Sequence, residues 1–123
     1  MIRERNAETL HQVDQIVRHI MNKKGDDIVI IDVRNITSVA DYFILTTGNS
    51  GVHIKAIADE IREKLKRDEH VRPWHVEGEE GRRWILLDYV DIVVHVFVRE
   101  TRAYYDIEKL YEDAESRRVK TDY

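Results

Sequence analysis

Trp84-Ile85-Leu86-Leu87-Asp88-Tyr89-Val90-Asp91-Ile92-Val93-Val94-His95-Val96-Phe97 is the most apolar and most β-prone stretch of an otherwise heavily charged sequence. Two runs of β-branched, aromatic and leucine residues flank a short break at Val90-Asp91. That is the pattern of two adjacent strands joined by a tight connection. Both runs are apolar on both faces over most of their length, which predicts strands inside a sheet covered on both sides. Trp84, Asp88, Tyr89 and His95 do not belong to a plain core. Side chains alternate along a strand, so Trp84, Leu86 and Asp88 face one way and Ile85, Leu87 and Tyr89 the other.

Working outward, residues 7–24 carry Leu10, Val13, Ile16, Val17, Ile20 and Met21 at helical spacing. Lys23-Lys24-Gly25 predicts the stop, with the glycine taking the left-handed exit. Ile28-Val29-Ile30-Ile31 marks a buried strand within Asp27–Val33, and Asp41–Thr47 marks a second. Gly48-Asn49-Ser50-Gly51 is a sharp turn that offers Ser50 or Asn49 as N-cap. The helix after it buries Ile54, Ile57, Ala58, Ile61 and Leu65. Pro73 permits only a short or edge strand around Trp74-His75-Val76. A closing helix over Arg99–Ala114 places Tyr104, Ile107, Leu110 and Tyr111 on one face. The polar tail, residues 115–123, is expected to fray. The fold class is α/β: one domain with its core at about residues 10–113, a mixed five-stranded sheet and three flanking helices.

The chain has 123 residues, 42% hydrophobic and 36% charged, the balance of a globular protein with a busy surface. It has no cysteine, so disulfides, thiolate metal sites and a cysteine nucleophile are excluded. Met1–Asn6 shows no apolar signal core, and no run reaches membrane-span length, so a cytoplasmic protein is expected. A net charge of −4 lacks the basic surplus that phosphate binding exploits, which disfavours RNA as the main partner.

Catalytic patterns are incomplete. The Gly48 turn could offer backbone N–H groups to an anion, but it lacks the Lys-Ser/Thr ending of a P-loop and the third glycine of a dinucleotide fingerprint. A nucleotide- or phosphate-using enzyme of nucleotidyltransferase type is the alternative reading, and it needs carboxylates converging on metal ions. Asp59 and Glu60 diverge on a helix, and Asp88 and Asp91 flank a turn. The six histidines form no metal-ligand spacing, and His75 with Glu77 supplies only two ligands. His95, between Val94 and Val96, reads as a neutral buried histidine bonded to a neighbour. Trp84, Tyr89, Tyr104, Tyr105 and Tyr111 suit either a core or a protein interface.

Six blocks carry a family resemblance: Asp41-Tyr42-Phe43-Ile44, Thr47-Gly48-Asn49-Ser50, His53-Ile54-Lys55-Ala56-Ile57-Ala58, His75-Val76-Glu77-Gly78, Trp84 to Tyr89, and Asp91 to Phe97. In order and approximate spacing they resemble the ribosomal silencing factor (RsfS, Iojap-related) family. Arg102, Tyr105, Leu110 and Tyr111 resemble its closing helix. The resemblance implies a nucleotidyltransferase-like fold that is catalytically inactive and uses no cofactor. It implies a repressor that binds the large ribosomal subunit at ribosomal protein L-fourteen, blocks joining of the small subunit and lowers translation when nutrients are scarce. Family interface positions fall on Trp84, Asp88 and Tyr89, with His95, Phe97 and Tyr105 as structural or interface neighbours. A homodimer when free is implied, a minor contact to ribosomal RNA is left open, and no DNA or membrane partner is implied. The family usually has glycine where Val90 stands. A β-branched residue resists positive φ, so a different turn geometry is expected here.

Overall fold

The computed structural model describes residues 6–123. Met1–Arg5, and with them the expectation about a signal core, lie outside the described residues. The elements in chain order are α1 (Ala7–Asn22), β1 (Asp26–Asp32), β2 (Tyr42–Gly48), α2 (Gly51–Glu69), β3 (His75–Glu77), β4 (Trp84–Asp88), β5 (Ile92–Val98), α3 (Arg99–Tyr105), α4 (Ile107–Leu110) and β6 (Glu115–Arg118). They build one mixed sheet in the order β3-β4-β5-β2-β1-β6. Only β2 and β5 run parallel; the other neighbours are antiparallel.

The sheet has six strands, not five. The extra one is β6, in the tail expected to fray. All four of its residues are exposed, so it carries no apolar pattern to read. It is held as an edge by backbone pairing to β1, by the Arg118–Asp27 ion pair and by Val119 N–H donating to the Ile28 carbonyl at 2.8 Å. Beyond it, the Tyr123 hydroxyl donates to the Gly25 carbonyl at 2.6 Å.

Local chemistry sets the helix ends. The Asn6 side chain accepts the N–H groups of Glu8 and Thr9, satisfying two of the donors left over at the start of α1. Ser50 caps α2 by accepting the His53 N–H. The exit of α1 differs from expectation. Lys24, at φ +57°, takes the left-handed conformation, and Gly25 does not. Gly25 is needed for close approach instead: a Cβ there would collide with Ile20 Cγ2 and Thr46 Oγ1.

The closing helix is also broken. Asp106 adopts φ +47°, separating α3 from the single turn of α4. The break undoes the expected common face: Ile107 is buried, whereas Tyr104 and Leu110 stand in solvent.

The two sheet faces are covered unequally. One face, with Ile28, Ile30, Ile44, Ile85, Leu87, Val94 and Val96, packs under α1 and α2 around Ile16, Ile20, Ile57 and Ile61. The other face carries Val29, Ile31, Phe43, Leu45, Val93 and Phe97, all buried, under Val33 and Ala40 of the β1–β2 connection and Ile107, Tyr111 and Ala114 near α4; its cover thins at Trp84 and Leu86 of β4. Of the two strands in the 84–97 stretch, β5 is central and buried except at its last residue. β4 is fully buried only at Ile85 and Leu87; Trp84, Leu86 and Asp88 are half-buried. Complete cover of both faces is therefore not realised.

Candidate functional site: an aromatic sheet face left half open

The alternation read from the sequence holds. Trp84 and Asp88 lie on the partly covered face, and Tyr89 lies on the other, in the cluster under α1 and α2. Around Trp84 the side chains form a continuous aromatic file. The Trp84 ring centroid is 4.9 Å from Phe97 and 5.0 Å from Tyr105, and Tyr105 meets Tyr104 edge-on at 5.0 Å. In the other direction His95 lies 5.1 Å from Phe43, and Phe43 lies 5.0 Å from Tyr111. Offset and edge-on ring pairs of this kind add to simple area burial. Exposure grows along the file: Phe97 is buried, Trp84 is half-buried, Tyr105 is 53% exposed and Tyr104 81%.

Among the described residues the Trp84 side chain makes one hydrogen bond. Its indole Nε1–H donates to His95 Nδ1 at 3.1 Å. An acceptor Nδ1 assigns the imidazole proton to Nε2, which is buried with no hydrogen-bond partner among the described residues. Burial pushes the His95 pKa down to about 4, so the ring is neutral at neutral pH. A bonded, neutral core histidine was expected here; its partner, the Trp84 indole, was not read from the sequence.

The other site residues separate by depth. Asp88 works locally, with Oδ1 accepting the Val90 N–H at 2.8 Å. The Asp91 N–H closes onto the Tyr89 carbonyl at 3.0 Å, so Val90 is the middle residue of a three-residue turn at φ +74°. Valine takes the positive φ it was expected to resist, a strained arrangement. The Asp88 bond and the fixed strand registers on either side impose it. Tyr89, expected at the partner surface, is 7% exposed, and burial raises its hydroxyl pKa. What the turn presents to solvent is Val90, 57% exposed.

Two further contacts frame the site. Arg102, buried, donates from Nη1 to Thr47 Oγ1 and to the Asp27 carbonyl, each at 2.8 Å, and from Nε to Glu108 at 3.0 Å. It staples α3 and α4 to the sheet, and removing it would leave the polar groups of β1 and β2 unpaired. At the Gly48 turn one backbone donor is taken up by the chain itself. Asn49 N–H donates to His53 Nδ1 at 2.9 Å, and His53 Nε2 donates to the Lys23 carbonyl at 2.7 Å. The Asn49 N–H that an anion would use is therefore engaged. Asp59 pairs with Lys55 at 2.6 Å. Among the described residues no three His, Asp or Glu side chains group as a metal site, and no helix is long and apolar enough to cross a membrane.

Residues 6–122 match the family model described as ribosomal silencing factor during starvation. The chain is 43% identical over 94 residues to ribosomal silencing factor RsfS of Bacillus subtilis, covering 76% of this chain and 78% of that one. It is 39% identical over 98 residues to the protein of the same name from Halalkalibacterium halodurans, covering 80% and 83%. A crystal structure of a Chromobacterium violaceum protein superposes with a TM-score of 0.81 at 35% identity, covering 84% of this chain and 85% of that one.

Proposed function

The chain belongs to the ribosomal silencing factor family, and on that premise we propose that it represses translation by occupying the large ribosomal subunit at ribosomal protein L-fourteen. There it blocks the approach of the small subunit and lowers translation under nutrient limitation. The observation that carries this reading is the half-open aromatic face. A half-buried indole is held by His95, beside tyrosines in solvent, on a sheet whose opposite face is sealed. Rigid, partly exposed Trp and Tyr side chains make protein interfaces at low entropic cost.

In this reading Trp84 and Asp88 touch the partner. Tyr89 supports them from beneath by filling the opposite side of the hairpin. His95 and Phe97 back the indole, and Tyr105 extends the contact. A domain of this size can cover about 800 Å² on a partner, enough to exclude a competing subunit. The fold is read as nucleotidyltransferase-like in plan and non-catalytic, in keeping with the engaged N–H of the Gly48 turn. Off the subunit the chain is taken to be a cytoplasmic homodimer, and any contact to ribosomal RNA is minor.

The test is co-sedimentation with purified large subunits, comparing wild type with Trp84→Ala. Wild type pellets with the subunits. A folded Trp84→Ala loses about 2 kcal/mol or more of binding, as an interface hot spot should. Equal binding by the two proteins removes Trp84 from the interface, and absence of wild-type binding overturns the ribosomal reading.

A further inference from the structure

Where the aromatic file reaches α3 it borders an open cleft of about 500 Å³, lined among others by Trp84, Tyr104, Tyr105, Glu100, Gly78 and Gly81. The three rings form a corner. Trp84 and Tyr105 are inclined at 48°, and Tyr105 and Tyr104 at 84°, so their faces point in different directions. The cleft depends on a bare backbone at Gly78, which has φ +87° and lies so close to β4 that a Cβ would strike the Trp84 carbonyl oxygen.

The charges of the cleft are unspent. Glu100 makes no ion pair or side-chain hydrogen bond among the described residues. The cation–π contacts of the described residues are Lys24 with Tyr123 and Arg34 with Tyr42, so no internal cation lies over Trp84, Tyr104 or Tyr105. Arg83 also lines the cleft without stacking on these rings. Electron-rich ring faces at differing angles beside an unpaired carboxylate attract a cation more than an apolar group. The chain's net charge of −4 favours the approach of a basic partner.

We propose that this cleft is an aromatic cage that takes one cationic side chain from a basic protein partner, with arginine the preferred occupant. Arginine is preferred because its guanidinium is planar, stacks on aromatic faces and is weakly hydrated, so it gives up little on entering. The identification of the partner as a ribosomal protein rests on the proposed function. The cationic chemistry of the cleft does not.

Two measurements test the cage. In the first, affinity for purified large subunits is compared for wild type, Tyr104→Ala, Tyr104→Phe and Glu100→Gln. The cage predicts about tenfold weaker binding for Tyr104→Ala, the size of a partly desolvated cation–π contact, and little change for Tyr104→Phe, which keeps the ring. Glu100→Gln should weaken binding several-fold and flatten its salt dependence. Wild-type affinity in all three variants overturns the cage and leaves the ribosomal reading standing.

In the second, the capped peptide acetyl-Arg-Arg-Arg-amide is titrated while the two indole N–H resonances are followed by NMR. A saturable shift of Trp84, with Trp74 as internal reference and loss of the shift in Tyr104→Ala, supports the cage even if subunits do not bind. No Trp84 shift, or an undiminished shift in Tyr104→Ala, overturns it.

Discussion

The two faces of the sheet are built from the same strands and serve different ends. The face under α1 and α2 is closed by two long amphipathic helices, and its isoleucines are almost all inaccessible to solvent. The opposite face is covered by two short helices and by Val33 and Ala40; its central strands are buried too, and exposure grows only at its margin, from half-buried Trp84 to Tyr105 and Tyr104 of α3. Aliphatic burial of the first kind supplies most of the stability per residue. The second kind leaves apolar area unpaid for by folding, which a monomer does not need and a binding surface does. Stability and recognition are therefore divided between the faces, and each substitution should report on one of them more than on the other.

The largest effect is expected on the closed face. Ile57→Ala removes a fully buried side chain between α2 and the sheet and should cost about 3–4 kcal/mol of unfolding free energy, transfer and cavity terms together. Urea denaturation measures it, and the folded fraction should bind large subunits as wild type does. A cost below about 1 kcal/mol would mean that the closed face is not the stabilising one.

Next comes the pH response of the open face. Folded His95 titrates at about 4, whereas an unfolded histidine titrates near 6.5. As pH falls, the unfolded chain takes up a proton that the folded one refuses. Stability is therefore intact above about pH 6.5 and is lost as pH drops toward 4, by up to about 1.4 kcal/mol per unit. Burial lowers the pKa of His19 as well, so it acts in the same direction. Between pH 7 and 5, wild type should lose about 2 kcal/mol more than His95→Phe. Parallel losses in the two proteins would contradict a neutral buried imidazole.

The smallest effect is at the turn that joins β4 to β5. Val90→Gly removes a β-branched side chain from φ +74°. Relief of about 1–3 kcal/mol of strain, less about 0.5–1 kcal/mol for the freer unfolded glycine, leaves a net gain of about 1 kcal/mol. Thermal denaturation should show a higher midpoint, and a lower one would show that the turn is not strained.

How much of this was legible follows the same division. α1 and α2 announce themselves by the periodicity of Val13-Ile16-Ile20 and of Ile54-Ile57-Ile61, and the buried strands by continuous apolar runs such as those within residues 84–97, because burial on one face writes a repeat and burial on both writes a run. β6 has no such repeat. Glu115 to Arg118 pair through backbone groups that every residue possesses. The break at Asp106 has no Gly or Pro to signal it, since aspartate tolerates the left-handed region. At Val90 the propensity argument pointed the wrong way, because strand register and the Asp88 bond override it. In the site, alternation separated Trp84 from Tyr89. The Trp84–His95 bond escaped because the register sets Trp84 opposite Phe97 and makes His95 only a diagonal neighbour. The exposure of Tyr104 depends on the break after α3, and no local signal marked it.

The division of labour is tested most directly by hydroxyl-radical footprinting of the free and subunit-bound protein. Trp84, Tyr104 and Tyr105 report on the open face. Trp74, 69% exposed and lining a separate cleft with Arg62 and Lys66 of α2, reports on the closed side. Oxidation of the first three should fall on binding while that of Trp74 stays unchanged. Protection of Trp74 with Trp84, Tyr104 and Tyr105 still reactive would place the partner on the wrong side of the sheet and contradict the account.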